Sequence, residues 1–360
     1  MERCKRLFLL LAFMGSIIIT TRVSAAEFSF SVIPRTAENQ IDKEKTYFDL
    51  LLQPGQEETL TVDLRNDTDN EVIVEAQINS ATTNGNGVVE YSQNEITRDA
   101  TLKYDLKDHV KAPEKIILRP QSVAEYKMRI KMPNNVFDGI IAGGITFKEK
   151  QTAETTTAKD RKNAGLAIKK EYSYVVALLM RQTTANGSPD LKLAHAYPDQ
   201  RNARNVIKGT LQNPNATYLN QLAIKTTITK KADSKILYTH EQAQMQVAPN
   251  THFDISIPLN GERLQAGQYT MKMEAYGEEV ENGAYQFQTA DSQIKENYRY
   301  HWRLEKEFKI KAAEAKKLND SDVTIKQADT WILILISIVL LAMIILFIVG
   351  RKNKKVRQGQ

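Results

Sequence analysis

The sequence predicts an all-β protein, built of two tandem β-sandwich domains and followed by one transmembrane α-helix. Apolar and polar residues alternate over many short segments, and turn residues interrupt this alternation about every eight to twelve positions. A period of two is typical of strands with one buried face, and strands without intervening helical patterns favour sandwiches over parallel α/β folds. A long uncharged segment near the carboxyl terminus supplies the predicted helix.

Residues 1–26 are expected to be a secretory signal peptide. Basic residues precede an apolar core, Leu7–Ile19, and small residues near Ala25 suit cleavage. This core is short for a bilayer span of about 20 residues, so we favour cleavage over an uncleaved anchor. The only cysteine, Cys4, lies in this segment, so the mature chain is expected to have neither a disulfide nor a thiol nucleophile.

A single membrane span is expected at residues 331–350. The segment Trp331–Val349 contains no charged residue and is long enough to cross the hydrocarbon layer at about 1.5 Å per residue. Residues 351–360 form a basic tail, which the positive-inside rule places in the cytoplasm. The preceding part is therefore expected outside the cell, with the chain held in the cell membrane.

The net charge of +6 does not indicate nucleic-acid binding. Residues 1–26 contribute a net +3 and residues 351–360 contribute +5, which leaves −2 for the exported part. Nucleic-acid binding requires a basic field on the folded domain, and a nearly neutral exported part lacks one. Nucleic acid is therefore excluded as a partner.

The segment AEYKMRIKMP shows the alternation most clearly, because Ala124, Tyr126, Met128, Ile130 and Met132 share one face. The segments TLTVDLRN and EVIVEAQIN alternate in the same way around a turn rich in Asn and Asp, so we expect them to form a hairpin. Roughly seven strands can be counted in each half, a number typical of an immunoglobulin-like sandwich.

The two sandwiches are expected at residues 27–185 and 186–310, and a stalk at residues 311–330 joins the second sandwich to the span. The segment TTANGSPD marks the boundary by its turn-forming composition. A polar, Thr-rich stretch at residues 148–163 is the alternative boundary. We favour the later boundary because the apolar segment EYSYVVALLM, after the Thr-rich stretch, can pair with GGITF as the last hairpin of the first sandwich.

The glycine-rich run FDGIIAGGITF has three competing interpretations. A phosphate-binding loop requires a lysine directly after its last glycine, and Ile145 follows Gly144 instead. A transmembrane dimerisation motif requires an apolar stretch of about 20 residues, which this run lacks. A strand whose glycines allow another backbone or a large side chain to pack closely is consistent with the whole run.

The sequence contains no recognisable catalytic pattern. The five histidines are scattered, and there is no HExxH, no GxSxG and no SxxK followed by SDN. His240, Glu241 and Asp254 can be assembled into a site on paper, but each lies in an alternating strand where a solvated face is the simpler interpretation. We therefore expect a protein that is not an enzyme and that needs no cofactor or metal.

One loop is the best candidate for a ligand contact. Carbohydrate sites usually combine a ring-stacking aromatic residue with amide and carboxylate groups, and TTNGNGVVEYSQNE brings these types together near one turn. The alternative is a plain Asn-Gly hairpin turn without a ligand. The candidate residues are Asn84, Asn86, Glu90, Tyr91 and Asn94.

Several segments resemble the WxL-interacting proteins of Gram-positive bacteria. The segments NQIDKEKTYFDLLLQPGQEETLTVDLRN, NSATTNGNGVVEYS and FDGIIAGGITF resemble the N-terminal domain of this family, which is described as peptidoglycan-binding. The segments EYSYVVALLM, LQNPNATYLNQLAIKTTI, LQAGQYTMKMEA and HWRLEKEFKIKAAEAKKLN resemble its C-terminal domain, which is described as host-binding. The usual boundary in the family falls inside the Thr-rich stretch.

The resemblance implies a membrane-anchored surface scaffold or adhesion protein. Its implied partners are WxL-domain surface proteins, peptidoglycan and a host extracellular-matrix protein, and it assigns no site residue. The residues themselves leave one alternative open, an accessory or receptor subunit of an integral membrane complex. Co-purification with exported WxL-domain proteins favours the first hypothesis, and co-purification with membrane subunits favours the second.

Overall fold

The computed structural model describes residues 29–150, 172–185, 187–231, 233, 235–290, 292, 294–325, 338–341 and 343–344 of the chain. The chain divides into two compact units. Unit 1 contains the described residues of Met1–Ala81, Tyr91–Glu95 and Lys103–Asn186, and unit 2 contains those of Thr82–Glu90, Ile96–Leu102 and Gly187–Gln360. Strands dominate both units, which confirms the all-β prediction.

The first twelve elements of the chain are β1 (Ser31–Pro34), β2 (Phe48–Leu51), β3 (Glu57–Asn66), β4 (Val72–Ser80), β5 (Thr82–Thr83), β6 (Val89–Glu90), α1 (Leu106–His109), β7 (Val110–Lys111), β8 (Lys115–Leu118), β9 (Ser122–Lys131), β10 (Ile140–Glu149) and β11 (Ser173–Arg181). All but the β5–β6 hairpin belong to unit 1. They form two sheets, with the strand orders β1-β3-β9-β7 and β2-β11-β10-β4-β8.

The core of unit 1 lies between these two sheets. Tyr126 and Met128 of β9 are buried, as the alternation predicts. The Tyr126 ring meets Phe147 of β10 edge-on with ring centroids 5.1 Å apart, so side chains of both sheets interlock. The Tyr126 hydroxyl donates to the carbonyl of Pro113 at 2.7 Å, and burial raises the pKa of Tyr126 to about 12.

Residues 140–147 of the glycine-rich run lie in β10, between β11 and β4, and Gly139 precedes the strand with φ of +126°. A Cβ on Gly143 would stand 2.2 Å from the carbonyl oxygen of Asn79 and 2.5 Å from the side chain of Leu106. A Cβ on Gly144 would stand 2.8 Å from the Cβ of Tyr91. The structure therefore confirms a strand whose glycines admit a neighbouring backbone and large side chains.

The two strand pairings expected for unit 1 have opposite outcomes. The segment GGITF of β10 pairs with β11 in antiparallel register, as predicted. The predicted hairpin between TLTVDLRN and EVIVEAQIN is wrong, because β3 and β4 lie in different sheets. β1 and β9 flank β3, and the turn after β3 carries the chain to the other sheet. Asn66 fixes this turn by donating from its side-chain amide to the carbonyls of Asn70 and Arg119.

Unit 2 contains the β5–β6 hairpin, the strands β12 (Lys192–Arg201), β13 (Arg204–Asn213), β14 (Leu219–Lys230), β15 (Ile236–Val247), β16 (Thr251–Pro258), β17 (Gly267–Glu279), β18 (Tyr285–Phe287) and β19 (Glu296–Ile310), and the helix α2 (Ala312–Ser321). Its two main sheets have the strand orders β12-β13-β16 and β15-β14-β17-β19-β18. Gly209 of β13 lies directly under Met271 of β17, since a Cβ there would be 2.9 Å from the sulfur. The core of unit 2 therefore lies between these sheets.

The predicted stalk covers residues 311–330, and its first half is part of unit 2. Ala315 of α2 is buried in the core, and Leu318 packs against it. The side-chain amide of Asn319 donates to the carbonyl of Leu264 at 2.9 Å, and a carboxylate oxygen of Asp322 accepts from the amide of Asn205 at 2.7 Å. Of the short helical or extended stalk expected here, residues 312–322 are thus a helix and cap that pack on unit 2.

Other predicted segments lie wholly or largely outside the described residues. They are the signal peptide at residues 1–26, most of the Thr-rich stretch at 148–163, most of the span at 331–350 and the tail at 351–360. Within the described part of the chain, no helix combines the length and apolar character that crossing a membrane requires.

Candidate binding grooves

Two short segments from the first half of the chain belong to unit 2. They are residues 82–90 and 96–102, which we together call the insert, and the insert packs against β15 and β16. Gly87 takes a left-handed conformation with φ of +70°, and it lies so close to Met245 that a side chain would collide there. The amide of Gln246 donates to the carbonyl of Gly87 at 2.8 Å.

Thr83 anchors the hairpin of the insert by buried hydrogen bonds. Its hydroxyl lies 2.8 Å from the hydroxyl of Thr251, and it accepts from the amide of Ala248 at 3.0 Å. Both threonines are buried, so water cannot replace these partners.

Replacing Thr83 with valine is expected to lower the free energy of unfolding of unit 2 by roughly 2 kcal/mol, because the shape is kept while the amide of Ala248 loses its acceptor. Urea unfolding of the full-length chain, followed by tryptophan fluorescence, measures this change. Trp302 is the one tryptophan in the described part of the chain, and it lies in unit 2. Thr83→Ser keeps the hydroxyl and should stay close to the wild type; equal losses for both variants would contradict the assignment.

Asp99 is the second anchor of the insert, and its side chain is only 3% exposed. Its carboxylate accepts from Nε2 of Gln212 at 3.0 Å and from the amide of Thr101 at 2.8 Å. Nδ1 of His252 lies 2.7 Å from the same carboxylate. Burial raises the pKa of Asp99, but these hydrogen bonds together lower it by a larger amount. The net pKa is therefore below the ordinary value.

A groove of about 470 Å³ lies in unit 2 beside the insert, and we call it the hairpin groove. Two residues that line the groove have polar partners. Lys208 is paired with Asp199 at 2.7 Å, and Asp254 accepts a hydrogen bond from the hydroxyl of Tyr197 at 2.7 Å. Burial and the hydrogen bond to Asp254 raise the pKa of Tyr197, so its hydroxyl stays protonated. The groove is lined by Thr83, Asn84, Gly85, Asn86, Ile96, Thr97, Gln200, Arg201, Lys208, His252, Phe253, Asp254 and Ser256.

The five predicted site residues are divided between the two units. Asn84 and Asn86 line the hairpin groove, and Glu90 lies at the end of the same hairpin. Tyr91 and Asn94 belong to unit 1, where Tyr91 packs on Gly144. The structure therefore does not bring all five together in one unit.

Asn84 and Asn86 also make contacts that shape the hairpin itself. The Oδ1 of Asn84 accepts from the amides of Asn86 at 2.9 Å and Val88 at 3.2 Å, and its Nδ2 donates to Glu90 at 2.6 Å. The Oδ1 of Asn86 accepts from Arg201 at 2.7 Å. These residues hold the turn and its position on unit 2, and ligand contact by them stays a prediction.

A groove of about 1170 Å³ lies in unit 1, and we call it the lysine groove. One wall consists of cross-strand neighbours of β10 and β4, namely Lys148 opposite Glu75 and Thr146 opposite Gln77. The other wall consists of α1, β7 and the start of β8. The groove is lined by Glu75, Ala76, Gln77, Ile78, Gln93, Lys107, Val110, Lys111, Ala112, Pro113, Glu114, Lys115, Thr146, Lys148 and Lys150.

The lysine groove concentrates positive charge in a part of the chain that is otherwise nearly neutral. Five lysines and two glutamates line it, a formal net charge of +3, against −2 for residues 27–350. In the described part of the chain, Lys107, Lys111 and Lys115 have no carboxylate within ion-pair distance. Lys150 lies 3.8 Å from Glu75, at the limit of an ion pair. Such a groove raises the local concentration of anionic ligands.

The wall of the lysine groove contains an unused hydrogen-bonding group. Thr146 is 8% exposed, and its Oγ1 is buried without a hydrogen-bond partner in the part of the chain that the structure describes. Buried hydroxyls are normally satisfied, so Thr146 Oγ1 is an exception among the described residues. The side-chain amide of Gln77, opposite Thr146, donates to Gln93.

The lysine groove is not among the sites predicted from the sequence. Lys107, Lys111 and Lys115 recur every fourth residue in KDHVKAPEK, and this spacing was the available signal. Lys148 and Lys150 come from a distant strand, and only the pairing of β10 with β4 brings them to the same groove.

The residues considered for catalysis are not assembled in the structure. His240 and Glu241 lie on β15 and Asp254 lies on β16, in different sheets. Glu241 is paired with Lys225 at 2.8 Å, and Asp254 also accepts from Thr210 at 2.6 Å. The described residues include no group of His, Cys, Asp and Glu side chains that could hold a metal ion.

Comparisons with solved structures find fimbrial chaperones. The class 5 fimbriae chaperone CfaA is 12% identical, with 76% of this chain and 98% of that chain covered and a TM-score of 0.29. The E. coli chaperone DraB is 17% identical, with 68% and 91% covered and a TM-score of 0.25. A chaperone–tip adhesin complex of CFA/I fimbriae biogenesis is 9% identical, with 70% and 94% covered and a TM-score of 0.31. Among curated proteins, none matches significantly.

Comparisons with protein families give two matches. The WxL Interacting Protein peptidoglycan binding domain matches residues 30–149, and the WxL Interacting Protein host binding domain matches residues 163–320. The two domains follow each other in the order that the sequence resemblance implied. The chain belongs to the WxL-interacting protein family.

Proposed function

We propose that the chain is a non-catalytic cell-surface scaffold that binds peptidoglycan through the lysine groove of unit 1. In this proposal, residues 1–26 direct export, two immunoglobulin-like sandwiches face the cell wall, and residues 331–350 anchor the chain in the membrane. Unit 2 binds WxL-domain partner proteins and a host extracellular-matrix protein. The family matches support the cell-surface binding role.

The position of the lysine groove is the observation that carries the proposal. Every residue that lines it, except Lys150, falls within residues 30–149, the range that matches the peptidoglycan binding domain. The groove is formed by strands and a short helix of one unit, so its walls are held by sheet pairing and a buried core. Peptidoglycan carries carboxylates along a glycan chain, and a positively charged groove suits such a polymer.

Removal of three lysines from the groove is expected to abolish most peptidoglycan binding. The full-length chain should co-sediment with purified murein sacculi, and the variant Lys107→Gln, Lys111→Gln, Lys115→Gln should require on the order of tenfold more murein for the same retention. Glutamine keeps much of the length of each side chain, and all three lysines are exposed, so folding should be unaffected.

The matched control removes three lysines of unit 1 that lie outside the groove, in the variant Lys43→Gln, Lys127→Gln, Lys131→Gln. The last two lysines form only exposed ion pairs, which contribute little to stability. The control has the same change in net charge, so it should keep wild-type retention on murein. Equal loss in both triple variants, or full retention in both, would contradict binding through the groove.

A further inference from the structure

The lysine groove carries charges of both signs in a fixed arrangement. Glu75 is the direct cross-strand neighbour of Lys148 and lies 3.8 Å from Lys150. Glu114 directly precedes Lys115 at the start of β8, and its carbonyl accepts from the amide of Ala76 at 2.8 Å. Two carboxylates therefore stand among five ammonium groups, one on β4 and one directly before its neighbour β8.

We infer that the lysine groove recognises the peptide stem of peptidoglycan through its carboxylates, and that the glycan chain contributes little to its selectivity. This inference rests on the proposed function and names the part of the polymer that the groove contacts. Lysine ammonium groups bind carboxylates by charge-assisted hydrogen bonds, which are stronger than the neutral hydrogen bonds that sugar hydroxyls offer.

The two glutamates distinguish a peptide stem from a polymer that carries only negative charge. A phosphodiester-linked wall polymer would bring its charges against Glu75 and Glu114, and like charges at close range are unfavourable. A peptide stem carries carboxylates and, where it contains a diamino acid, an amino group that suits a glutamate. The mixed charge of the groove therefore favours the stem.

The experiment compares soluble fragments on the full-length chain by titration. The probes are a disaccharide-pentapeptide with free carboxylates, the same muropeptide with its carboxylates converted to amides, an N-acetylglucosamine tetramer, and a poly(glycerol phosphate) chain. We expect the free-carboxylate muropeptide to bind on the order of tenfold more tightly than its amidated form, and the Lys107, Lys111, Lys115 triple variant to lose this difference.

Each outcome bears on one of the two proposals. Equal affinity for the two muropeptides, tightest binding of the sugar tetramer, or tightest binding of poly(glycerol phosphate) would overturn the inference while intact murein is still retained. Failure to retain intact murein would overturn the proposed function itself, and the inference with it.

Discussion

Replacing Gly143 with alanine is expected to destabilise unit 1 by about 3 kcal/mol, through overpacking at a point where the backbone has no room to move. The new Cβ would stand 2.2 Å from the carbonyl oxygen of Asn79, an atom of the neighbouring strand β4. That strand is held on both sides, by β10 and by β8, so the strain cannot be relieved by a rotamer change. Calorimetric unfolding of the full-length chain measures the effect as a lowered melting temperature for unit 1.

Gly267→Ala is the control, because this glycine begins β17 and its nearest neighbour, Tyr269, lies at an ordinary contact distance of 3.4 Å. Glycine in a strand costs roughly 0.5–1 kcal/mol of conformational entropy relative to alanine, so this variant should be neutral or slightly stabilised. If Gly143→Ala also proved neutral, the close approach of β4 would be refuted.

Replacing Asp99 with alanine is expected to destabilise unit 2 by roughly 3 kcal/mol, because a buried carboxylate is the shared acceptor of several groups. The variant would leave the side-chain amide of Gln212 and the amide of Thr101 without their acceptor. It would also release the insert from His252. Urea unfolding followed by the fluorescence of Trp302 reports on this unit, and an unchanged midpoint would show that the insert is not held there.

The pKa of Asp99 gives the expected pH dependence of the same anchor. Because the folded-state pKa lies below the ordinary value of 3.8, the ionised carboxylate stabilises the folded state above that value. The contribution should be lost as the pH falls through the lowered pKa. Asp99→Asn removes the ionisation but keeps one acceptor oxygen, so its loss of stability should be smaller than that of the alanine variant and should not grow in acid.

The alternation of the sequence was sufficient to predict which face of a strand is buried. Tyr126, Met128 and Ile130 of β9 are buried as expected. Residues two apart share one face of a strand, so the register is strongly constrained where one face of the sheet is buried. The pairing of β10 with β11 was also predictable, because both strands are apolar on both faces and consecutive in the sequence.

Which strands are neighbours was less predictable from the same pattern. β3 and β4 alternate as a hairpin would, yet they lie in opposite sheets, because the Asn66 turn is held by carbonyls of the β8–β9 connection, 53 residues away. The insert shows the same limit: Asp99 reaches Gln212 and His252 by contacts over more than a hundred residues. No local pattern encodes partners at such separations.

The candidate site was only partly accessible from the sequence. Asn84 and Asn86 were predicted as ligand contacts because their amide groups lie near one turn; both line the hairpin groove, and ligand contact by them stays a prediction. The lysine groove required the register of β10 on β4, which places Lys148 beside Glu75, and the start of β8, where Lys115 is the other cross-strand neighbour of Glu75. Lys107 and Lys111 line the same groove from α1 and β7. Spacing alone places none of these side chains together.

Photo-cross-linking of a diazirine-bearing muropeptide to the full-length chain, followed by mass spectrometric mapping of the adducts, tests peptidoglycan binding by the lysine groove. We expect adducts at residues 75–78, 107–115 and 146–150, competed by unlabelled muropeptide. Adducts confined to the hairpin groove, around residues 83–86 and 252–256, would contradict peptidoglycan binding by the lysine groove.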